Sequence, residues 1–267
     1  MTAERVRHIL GLSGGKDSAA LAVYLRDRIP EMEYIFTDTQ KELPETYEYL
    51  AKLEAYLGKP IARLNADRGF DHWLEVHGNY LPSPRSRWCT RVLKLVPFER
   101  YVGDGPVVTY IGIRADEDRD GYISTKENIT ARFPFKEDGI KKADVLRILD
   151  EAGLGLPDYY KWRSRSGCYF CFFQRKNEWL GLKGNHPELF EEAKSYEKTD
   201  LESGKRYTWQ QNESLEELEN ESRARKIRDG EARKRTTSKG TTLVSILGEA
   251  IEPQEDDDES SCLICHL

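Results

Sequence analysis

The fold is decided near the start of the chain by seven residues, Leu12-Ser13-Gly14-Gly15-Lys16-Asp17-Ser18. They stand between a predicted strand over residues 6–12 and a predicted helix over residues 16–28. Two adjacent glycines let the backbone turn sharply and approach a ligand closely. The first amide groups of the helix then point toward the loop, where an anion is favoured. Lys16 adds a positive charge, so this heptapeptide predicts a phosphate-binding loop.

The heptapeptide differs from the usual loop of nucleoside triphosphatases. That pattern needs a glycine six residues before the lysine and a serine or threonine directly after it. This chain has Leu10 and Asp17 at those two positions. A different class of phosphate loop is therefore expected.

Beyond the loop, apolar patterns predict strands and helices that alternate along the chain. Strands are predicted at 34–37, 60–65 and 106–113, and helices at 46–57, 71–76 and 143–151. Alternation of this kind is typical of an α/β fold with a mostly parallel sheet flanked by helices.

Length and composition exclude several classes of protein. The chain has 267 residues, and 41 Lys and Arg against 47 Asp and Glu give a net charge of −6. It lacks the run of about 18 apolar residues that a membrane helix needs, and its polar start predicts no secretion signal. Five cysteines do not make a disulfide scaffold at this size. We therefore expect a cytoplasmic protein with no membrane partner.

The average charge conceals opposed segments near the end of the chain. Residues 223–239 contain eight basic and two acidic side chains, whereas residues 249–259 contain seven acidic ones. From residue 212 to 234 nearly every side chain is polar, which indicates a helix with little apolar stripe. We divide the chain into a domain over 1–200 and a charged, helical and partly disordered tail over 201–267 that ends in Cys-x-x-Cys.

The phosphate loop resembles that of the PP-loop ATP pyrophosphatase superfamily, and other motifs resemble its phosphoadenylylsulfate (PAPS) reductase branch. These motifs are Phe36–Thr39, Leu43–Thr46, Gly112–Arg114, Glu117 with Arg119, Pro134–Phe135, Asp144–Val145 and Ser166–Cys171. The resemblance covers residues 6–195 and implies a Rossmann-like, adenine nucleotide alpha hydrolase-like fold that binds ATP and releases pyrophosphate. Two positions depart from the branch: Gln40 replaces its usual glycine, and residues 140–143 lack its usual tryptophan.

The resemblance also implies a site, residue by residue. The implied ATP-binding residues are Ser13, Gly14, Gly15, Lys16, Asp17, Ser18, Thr37, Asp38, Gly112 and Arg114. Among them Lys16, Asp17 and Arg114 are the implied catalytic residues, with Arg114 neutralising charge that develops on phosphate. Gly112 would let the backbone approach the nucleotide, and ATP would bind together with Mg²⁺. The alternative interpretations from the residues alone are a helix cap for Asp38 and a surface arginine at a strand end for Arg114.

The cysteines suggest a metal centre. Cys168 and Cys171 form a Cys-x-x-Cys pair, and Cys89 precedes it by 79 residues. Iron–sulfur members of the resembled branch carry a Cys-Cys pair at about that distance, so the resemblance implies three ligands of a [4Fe–4S] cluster. Cys262 or Cys265 would supply the fourth ligand.

Other interpretations of the cysteines remain open. Zinc is the alternative metal, because thiolate ligands suit it as well. The pair at 168–171 could also be two buried structural cysteines, since a free cysteine behaves as a small apolar residue. A thiol of the last pair could instead act as a nucleophile or carry a persulfide.

Basic and aromatic side chains surround the cysteines that precede residue 176. They are Arg85, Arg87, Arg91, Lys94, Tyr159, Tyr160, Lys161, Trp162, Arg163, Arg165, Tyr169, Phe170, Phe172, Phe173 and Arg175. If they meet in space they form a positive, aromatic rim, which suits a phosphodiester backbone and stacked bases. Core aromatics with solvated charges are the alternative explanation.

Together these features favour an ATP pyrophosphatase of the sulfurtransferase type. Within its branch the chain most resembles the sulfur-insertion proteins of bacterial DNA phosphorothioation, a defence-related DNA modification (the DndC and SspD type). The implied partners are ATP, DNA, a cysteine desulfurase as sulfur donor, other DNA-modification subunits, and a second copy of the chain in a homodimer. The alternatives are a sulfonucleotide reductase and an ATP-binding regulatory or assembly subunit.

Overall fold

A five-stranded sheet forms in the computed structural model, which describes residues 5–119, 124–199 and 204–237. Its strands are β1 (Arg7–Gly11), β2 (Glu33–Thr37), β3 (Ile61–Leu64), β4 (Val107–Tyr110) and β5 (Ile129–Arg132). All neighbouring strands are parallel, in the order β3-β2-β1-β4-β5. The predicted α/β, Rossmann-like class is therefore confirmed.

The order of the strands reverses between β1 and β4. From β1 the chain winds outward through β2 to β3, and it then returns to the other side of β1 to form β4 and β5. The register pairs Ile9 with Glu33 on one side and with Thr109 on the other. Ligands of open parallel sheets bind beyond the carboxyl ends of the strands at such a reversal. The heptapeptide directly follows β1 and so lies at this position.

Helices connect the strands of this first compact unit, which comprises the described residues up to Tyr169. They are α1 (Lys16–Leu25), α2 (Pro44–Leu57), α3 (Phe70–Val76), α4 (Trp88–Thr90), α5 (Val96–Val102), α6 (Pro134–Glu137) and α7 (Lys142–Glu151), with a π-helical turn at Arg91–Leu95 and a 3₁₀ turn at Asp158–Lys161. Among helices in the described ranges, none combines the length and apolar character needed to span a lipid bilayer.

Alternate residues of β1 belong to opposite faces of the sheet. Leu10 packs with Leu21 of α1 and Leu53 of α2, whereas Ile9 packs with Phe98 of α5. Both β1 residues are completely buried. This is expected for a central parallel strand, because helices cover both of its faces.

Several predicted boundaries need correction. The strand predicted over 106–113 is shorter, since β4 ends at Tyr110. Helix α2 begins at Pro44 and not after it, since proline lacks only an N–H that the first helical turn leaves unpaired. Helix α1 ends at Leu25, three residues before the predicted end. The sequence pattern also missed β5, whose four residues include only one buried side chain, that of Ile129.

The second compact unit begins at Phe170. Its described elements are α8 (Lys176–Asn185), α9 (Pro187–Ser195), β6 (Lys198–Thr199), β7 (Arg206–Tyr207), α10 (Leu215–Glu219) and α11 (Glu221–Thr237). The rings of Phe170 and Trp209 stack with centroids 4.9 Å apart, and Trp179 lies beside Trp209. The change in composition near residue 200 therefore falls inside one compact unit.

The polar segment at 212–234 forms two helices where the sequence predicted one. Ser214 caps α10 by accepting a hydrogen bond from the amide of Glu217, whose side chain reaches back to the amide of Ser214. Asn220 is extended and separates α10 from α11. Leu215 and Leu218 are fully buried, so the short apolar stripe of α10 is enough to anchor it. The predicted disordered tail and its last two cysteines lie outside the described residues.

Glu213 links the elements of the second unit through charge. Its carboxylate lies 2.6 Å from Nζ of Lys176 and 2.5 Å from Nε of Arg223. The hydrogen bond from Arg223 outweighs the effect of burial and, with Lys176, lowers the pKa of Glu213 to about 2. A carboxyl group with a lowered pKa stabilises the folded state above its unfolded pKa and loses that contribution as the pH falls.

Replacement of Glu213 by glutamine should therefore destabilise the chain by about 1 kcal/mol or less at pH 7, the scale of a partly exposed ion pair. The difference from the wild type should narrow between about pH 4.5 and pH 2, where the native carboxylate becomes protonated. Urea unfolding at pH 7, 4 and 3 measures this. Glu216→Gln, on an exposed position of α10, is the control and should show no such trend. A destabilisation that does not vary with pH would contradict the ion-pair explanation.

Candidate nucleotide-binding site

The loop between β1 and α1 is closed by its own hydroxyl groups. The amide of Ser13 donates to Oγ of Ser18 at 3.1 Å, and the two serine hydroxyls are 3.1 Å apart. Oγ of Ser18 also donates to the carbonyl of Gly15 at 3.3 Å. The hydroxyl groups of Ser13 and Ser18 therefore shape the turn, and both already take part in hydrogen bonds within the loop.

Glycine is required at position 14 for two independent reasons. Its φ angle is +72°, a conformation that other residues rarely adopt. A Cβ atom at this position would lie 2.5 Å from Cγ2 of Thr46, in the first turn of α2. The hydroxyl of Thr46 is buried and has no hydrogen-bond partner among the described residues. It is thus a polar group left available beside the loop.

Gly112 lies against the backbone of the first turn of α1. A Cβ atom here would lie 3.0 Å from the carbonyl oxygen of Asp17 and 3.4 Å from the amide nitrogen of Ser18. The missing side chain makes room for the backbone of α1 next to the end of β4. Gly112 therefore brings the first turn of α1 close to the strand reversal, and its predicted approach to a nucleotide remains a prediction.

Lys16 stands at the first position of α1 with its ammonium group largely shielded from solvent. Its Nζ atom lies 3.1 Å from Oδ2 of Asp17 and 5.3 Å from the centre of the Tyr160 ring. Burial opposes the charged form, but Tyr160 and Asp17 outweigh it and raise the pKa of Lys16. The ammonium group of Lys16 therefore stays charged at neutral pH.

Arg114 is buried behind the loop among three carboxylates. Its Nη1 atom lies 2.9 Å from Asp17 and 2.6 Å from Glu117, and its Nε atom lies 3.0 Å from Asp116. Burial opposes its charge, but Asp17 and the other carboxylates outweigh it and raise its pKa. With 2% of its surface exposed, Arg114 is not the surface arginine that the sequence also allowed. These contacts hold Asp17 in place.

Glu117 completes this buried network. One of its oxygens contacts Arg114 and the other lies 2.5 Å from Nε of Arg119. Burial nevertheless outweighs both arginines and raises the pKa of Glu117. Arg114, Glu117 and Arg119, which the sequence motif groups together, therefore form a network of ion pairs that contacts the loop through Asp17.

Thr37 and Asp38 lie at the carboxyl end of β2, on the same edge of the sheet as the loop. Thr37 is buried, and Asp38 accepts hydrogen bonds of 2.8 Å from the amide of Gln40 and the hydroxyl of Tyr47. Gln40, which replaces the glycine of the resembled branch, has a φ angle of +61°. Asp38 thus supports a left-handed turn that glycine would adopt without strain. Its contact with adenosine remains a prediction.

Two tyrosines contact the loop, a role that sequence reasoning missed. The Tyr159 hydroxyl donates to the carbonyl of Gly14 at 2.8 Å, and the Tyr160 hydroxyl accepts from the amide of Lys16 at 3.1 Å. Ser166 donates to Oγ of Ser13 at 3.1 Å. The only sequence signal was the resemblance at Ser166–Cys171, because a contact across about 145 residues leaves no local pattern.

The predicted basic and aromatic rim is therefore wrong in part. Tyr159 is completely buried, and Arg163 is buried as it donates to the carbonyls of Gly167 and Cys168. Several of the other predicted members are also buried: Lys94, Tyr169 and Phe170. The local backbone holds Arg163, and Phe170 stacks on Trp209, so only part of the predicted set remains on the surface.

The cysteines do not form a metal site in the described ranges. No group of three or more His, Cys, Asp or Glu side chains among those residues is arranged to hold a metal ion. Cys168 lies 3.2 Å from Oγ1 of Thr39 and 3.6 Å from Oε1 of Glu42, so its thiol is occupied by hydrogen bonds. The predicted ligation of a [4Fe–4S] cluster or zinc by Cys89, Cys168 and Cys171 therefore remains a prediction. Cys262 and Cys265 lie outside the described residues.

The sheet and its loop define an α/β protein with a phosphate-type loop at the strand reversal. Residues 7–135 match the phosphoadenosine phosphosulfate reductase domain family, which is slightly less than half of the chain. The match spans the phosphate-type loop and all five strands, so this part of the chain is similar to that domain.

Two similar proteins are uncharacterised proteins of Methanocaldococcus jannaschii. One is 27% identical over 197 residues and the other 30% identical over 192 residues, covering 68% and 67% of this chain. The chain spans only 40% and 44% of the lengths of these relatives. An uncharacterised nin region protein of Escherichia phage lambda is 26% identical over 208 residues, which is 66% of this chain and 68% of that protein.

Two solved structures are also similar. PAPS reductase of Candida auris in a phosphate complex has a TM-score of 0.49 and 16% identity, over 61% of this chain and 82% of the other. A tRNA thiolase of Methanococcus maripaludis with its [4Fe-4S] cluster has a TM-score of 0.41 and 17% identity, over 72% and 71%. The fold assignment itself rests on the strand order and register of this chain.

Proposed function

We propose that the protein is an ATP pyrophosphatase whose substrate is DNA. It transfers adenylate from ATP to a phosphate oxygen of the DNA backbone and so prepares that phosphate for sulfur insertion. The observation that carries the proposal is the loop of Ser13 to Ser18, which leads into α1 at the strand reversal and contains the partly buried cation Lys16. A helix N-terminus and a lysine together favour the binding of a polyphosphate.

The position of the charges suits a leaving pyrophosphate. An oxygen of the substrate attacks the α-phosphorus of ATP, a new P–O bond forms, and the bond to the β-phosphate oxygen breaks. Negative charge then develops on pyrophosphate, where preorganised donors stabilise the transition state most effectively. Lys16 supplies the charge, the first amides of α1 supply donors, and Mg²⁺ enters together with ATP.

The buried network gives the loop its rigidity. Arg114 binds Asp17, and Gly112 lets the same turn of α1 approach β4. Because such contacts hold the donors in place beforehand, little reorganisation energy is needed when charge develops in the transition state. Asp17 and Arg114 therefore act in this proposal by positioning the turn that carries Lys16.

Sulfur insertion completes the proposed reaction. A sulfur nucleophile at the oxidation level of sulfide attacks the activated substrate phosphorus, and AMP leaves with the former substrate oxygen. A cysteine desulfurase would supply the sulfur as a persulfide, and a thiol reductant would provide the two electrons that release it. No step of this proposal depends on a metal cluster.

The match to the PAPS reductase domain favours a second candidate, a sulfonucleotide reductase. Such an enzyme would release sulfite from adenylyl or phosphoadenylyl sulfate and would not need to cleave ATP. The loop lysine would then bind a phosphate of the nucleotide, and a thiol would act as the reductant.

The products formed from ATP test the proposal. The purified chain, incubated with ATP, Mg²⁺, DNA and sulfide as the sulfur nucleophile, should yield AMP and pyrophosphate, which chromatography of the nucleotides measures. Formation of ADP and phosphate would contradict the proposal, and sulfite release from a sulfonucleotide would establish the reductase instead.

Mass spectrometry of host DNA for sulfur-containing dinucleotides, with and without the gene, tests whether DNA is the substrate.

A further inference from the structure

We infer that Tyr160 competes with phosphate for the loop: its hydroxyl occupies the place of a phosphate oxygen at the amide of Lys16, and it must leave when a polyphosphate binds. The inference rests on the proposed function only in taking the loop as the binding site of the pyrophosphate group. It assigns Tyr160 as a residue that sets the affinity of that site.

The hydroxyl of Tyr160 satisfies the N–H group that an anion would otherwise take. Lys16 is the first residue of α1, and Gly15 before it provides no side-chain cap. The exposed amides at such a helix start are the usual ligands of phosphate. Here the amide of Lys16 donates to the Tyr160 hydroxyl at 3.1 Å. A phosphate oxygen and this hydroxyl would therefore use the same hydrogen atom.

The ammonium group of Lys16 is also engaged by the same tyrosine. Its Nζ atom lies 5.3 Å from the centre of the Tyr160 ring, on the side where a cation is attracted by the ring face. Asp17 holds the ammonium from another direction at 3.1 Å. Tyr160 thus occupies both the amide and the charge with which Lys16 would bind phosphate.

The chain that carries Tyr160 is anchored next to the loop. Tyr159 is completely buried, donates to the carbonyl of Gly14 and stacks on Tyr160 with ring centres 4.9 Å apart. Ser166 lies close to Gly15, because a Cβ atom added to Gly15 would be 2.6 Å from the hydroxyl oxygen of Ser166. Tyr160 itself is only partly buried, so its ring can turn away while Tyr159 stays in place.

A neutral hydroxyl is a weak competitor, which suits a group that a ligand displaces. Burial raises the pKa of Tyr160, so its hydroxyl stays protonated and uncharged at neutral pH. Hydrogen bonds to an ionised phosphate are about twice as strong as those between neutral groups. A polyphosphate should therefore displace Tyr160, at the cost of one neutral hydrogen bond.

Titration calorimetry of the full chain with inorganic pyrophosphate tests the inference. Tyr160→Phe cannot accept the hydrogen bond and should bind pyrophosphate about threefold to tenfold more tightly than the wild type, the range expected for one neutral hydrogen bond. Tyr159→Phe is the matched control, because it removes the neighbouring hydroxyl that donates to Gly14 and keeps the hydroxyl that accepts from the amide of Lys16. It should not tighten binding, and thermal unfolding checks that both variants fold.

Weaker or unchanged binding of pyrophosphate by a folded Tyr160→Phe variant would overturn the inference. Equal tightening by Tyr159→Phe would also overturn it, since the effect would then be a general loosening of the loop. The product assay with ATP keeps this result separate from the proposed function. Tighter binding without formation of AMP supports the role of Tyr160 and rejects the pyrophosphatase, whereas AMP formation without tighter binding does the reverse.

Discussion

Replacement of Lys16 by alanine should reduce the rate of AMP formation from ATP by at least about 100- to 1000-fold, the loss typical when one group that stabilises a transition state is removed. Lys16 is the basic side chain at the first position of α1, and its ammonium group lies 3.1 Å from Asp17. Steady-state assays of nucleotide products measure the effect. Because Arg114 still pairs with Asp17 in this variant, the fold should remain intact.

The control for this variant is Lys52→Ala, which removes a lysine from an exposed position of α2. It should retain full activity, and alanine is well tolerated in the interior of a helix. Circular dichroism and thermal unfolding should show native structure for both variants. Loss of folding in Lys16→Ala would mean that the lysine has a structural role and would contradict its role in binding phosphate.

Replacement of Arg114 by alanine should destabilise the chain by about 3 kcal/mol, because removing one partner of a buried ion pair leaves the other uncompensated. Asp17 and Glu117 would both lose their contact with Nη1. Denaturant unfolding measures the loss. Activity should fall as well, even under conditions where the variant is fully folded, since Asp17 would no longer be held beside Lys16.

Arg147→Ala is the matched control for Arg114. Arg147 also contacts two carboxylates, Asp144 and Glu151, but it lies on the exposed face of α7. Surface ion pairs contribute little to stability, so this variant should unfold at nearly the same denaturant concentration as the wild type. An equally small effect at Arg114 would show that its carboxylate neighbours are protonated or solvated, and that the network does not support the loop.

Local patterns predicted the strands and helices that surround the loop. The apolar run at 34–37 became β2, and the amphipathic pattern at 143–151 became most of α7. Such patterns succeed because a buried strand or a half-buried helix leaves its periodicity in neighbouring residues. The four residues of β5 carry no such period, and only their place at the edge of the sheet makes them a strand.

The basic and aromatic rim shows where local reasoning failed. Arg163 was expected on a nucleic-acid surface, but it is buried and holds two backbone carbonyls. Tyr160 was expected beside it and instead contacts Lys16. The composition shows that basic and aromatic residues are present, but it does not show which backbone carbonyl or amide each side chain will contact. The predicted binding of DNA therefore remains a proposal that needs its own test.

The sequence by itself determined the phosphate-type loop, the α/β class and the place of Lys16 at the start of a helix. Glycines, a lysine and apolar periods determine these features locally, because each acts on the backbone within a few residues. Only the tertiary structure decided that Arg114 supports Asp17, and that Tyr160 takes the amide of Lys16. These contacts join residues 97 and 144 positions apart, so the packing of the folded chain alone brings them together.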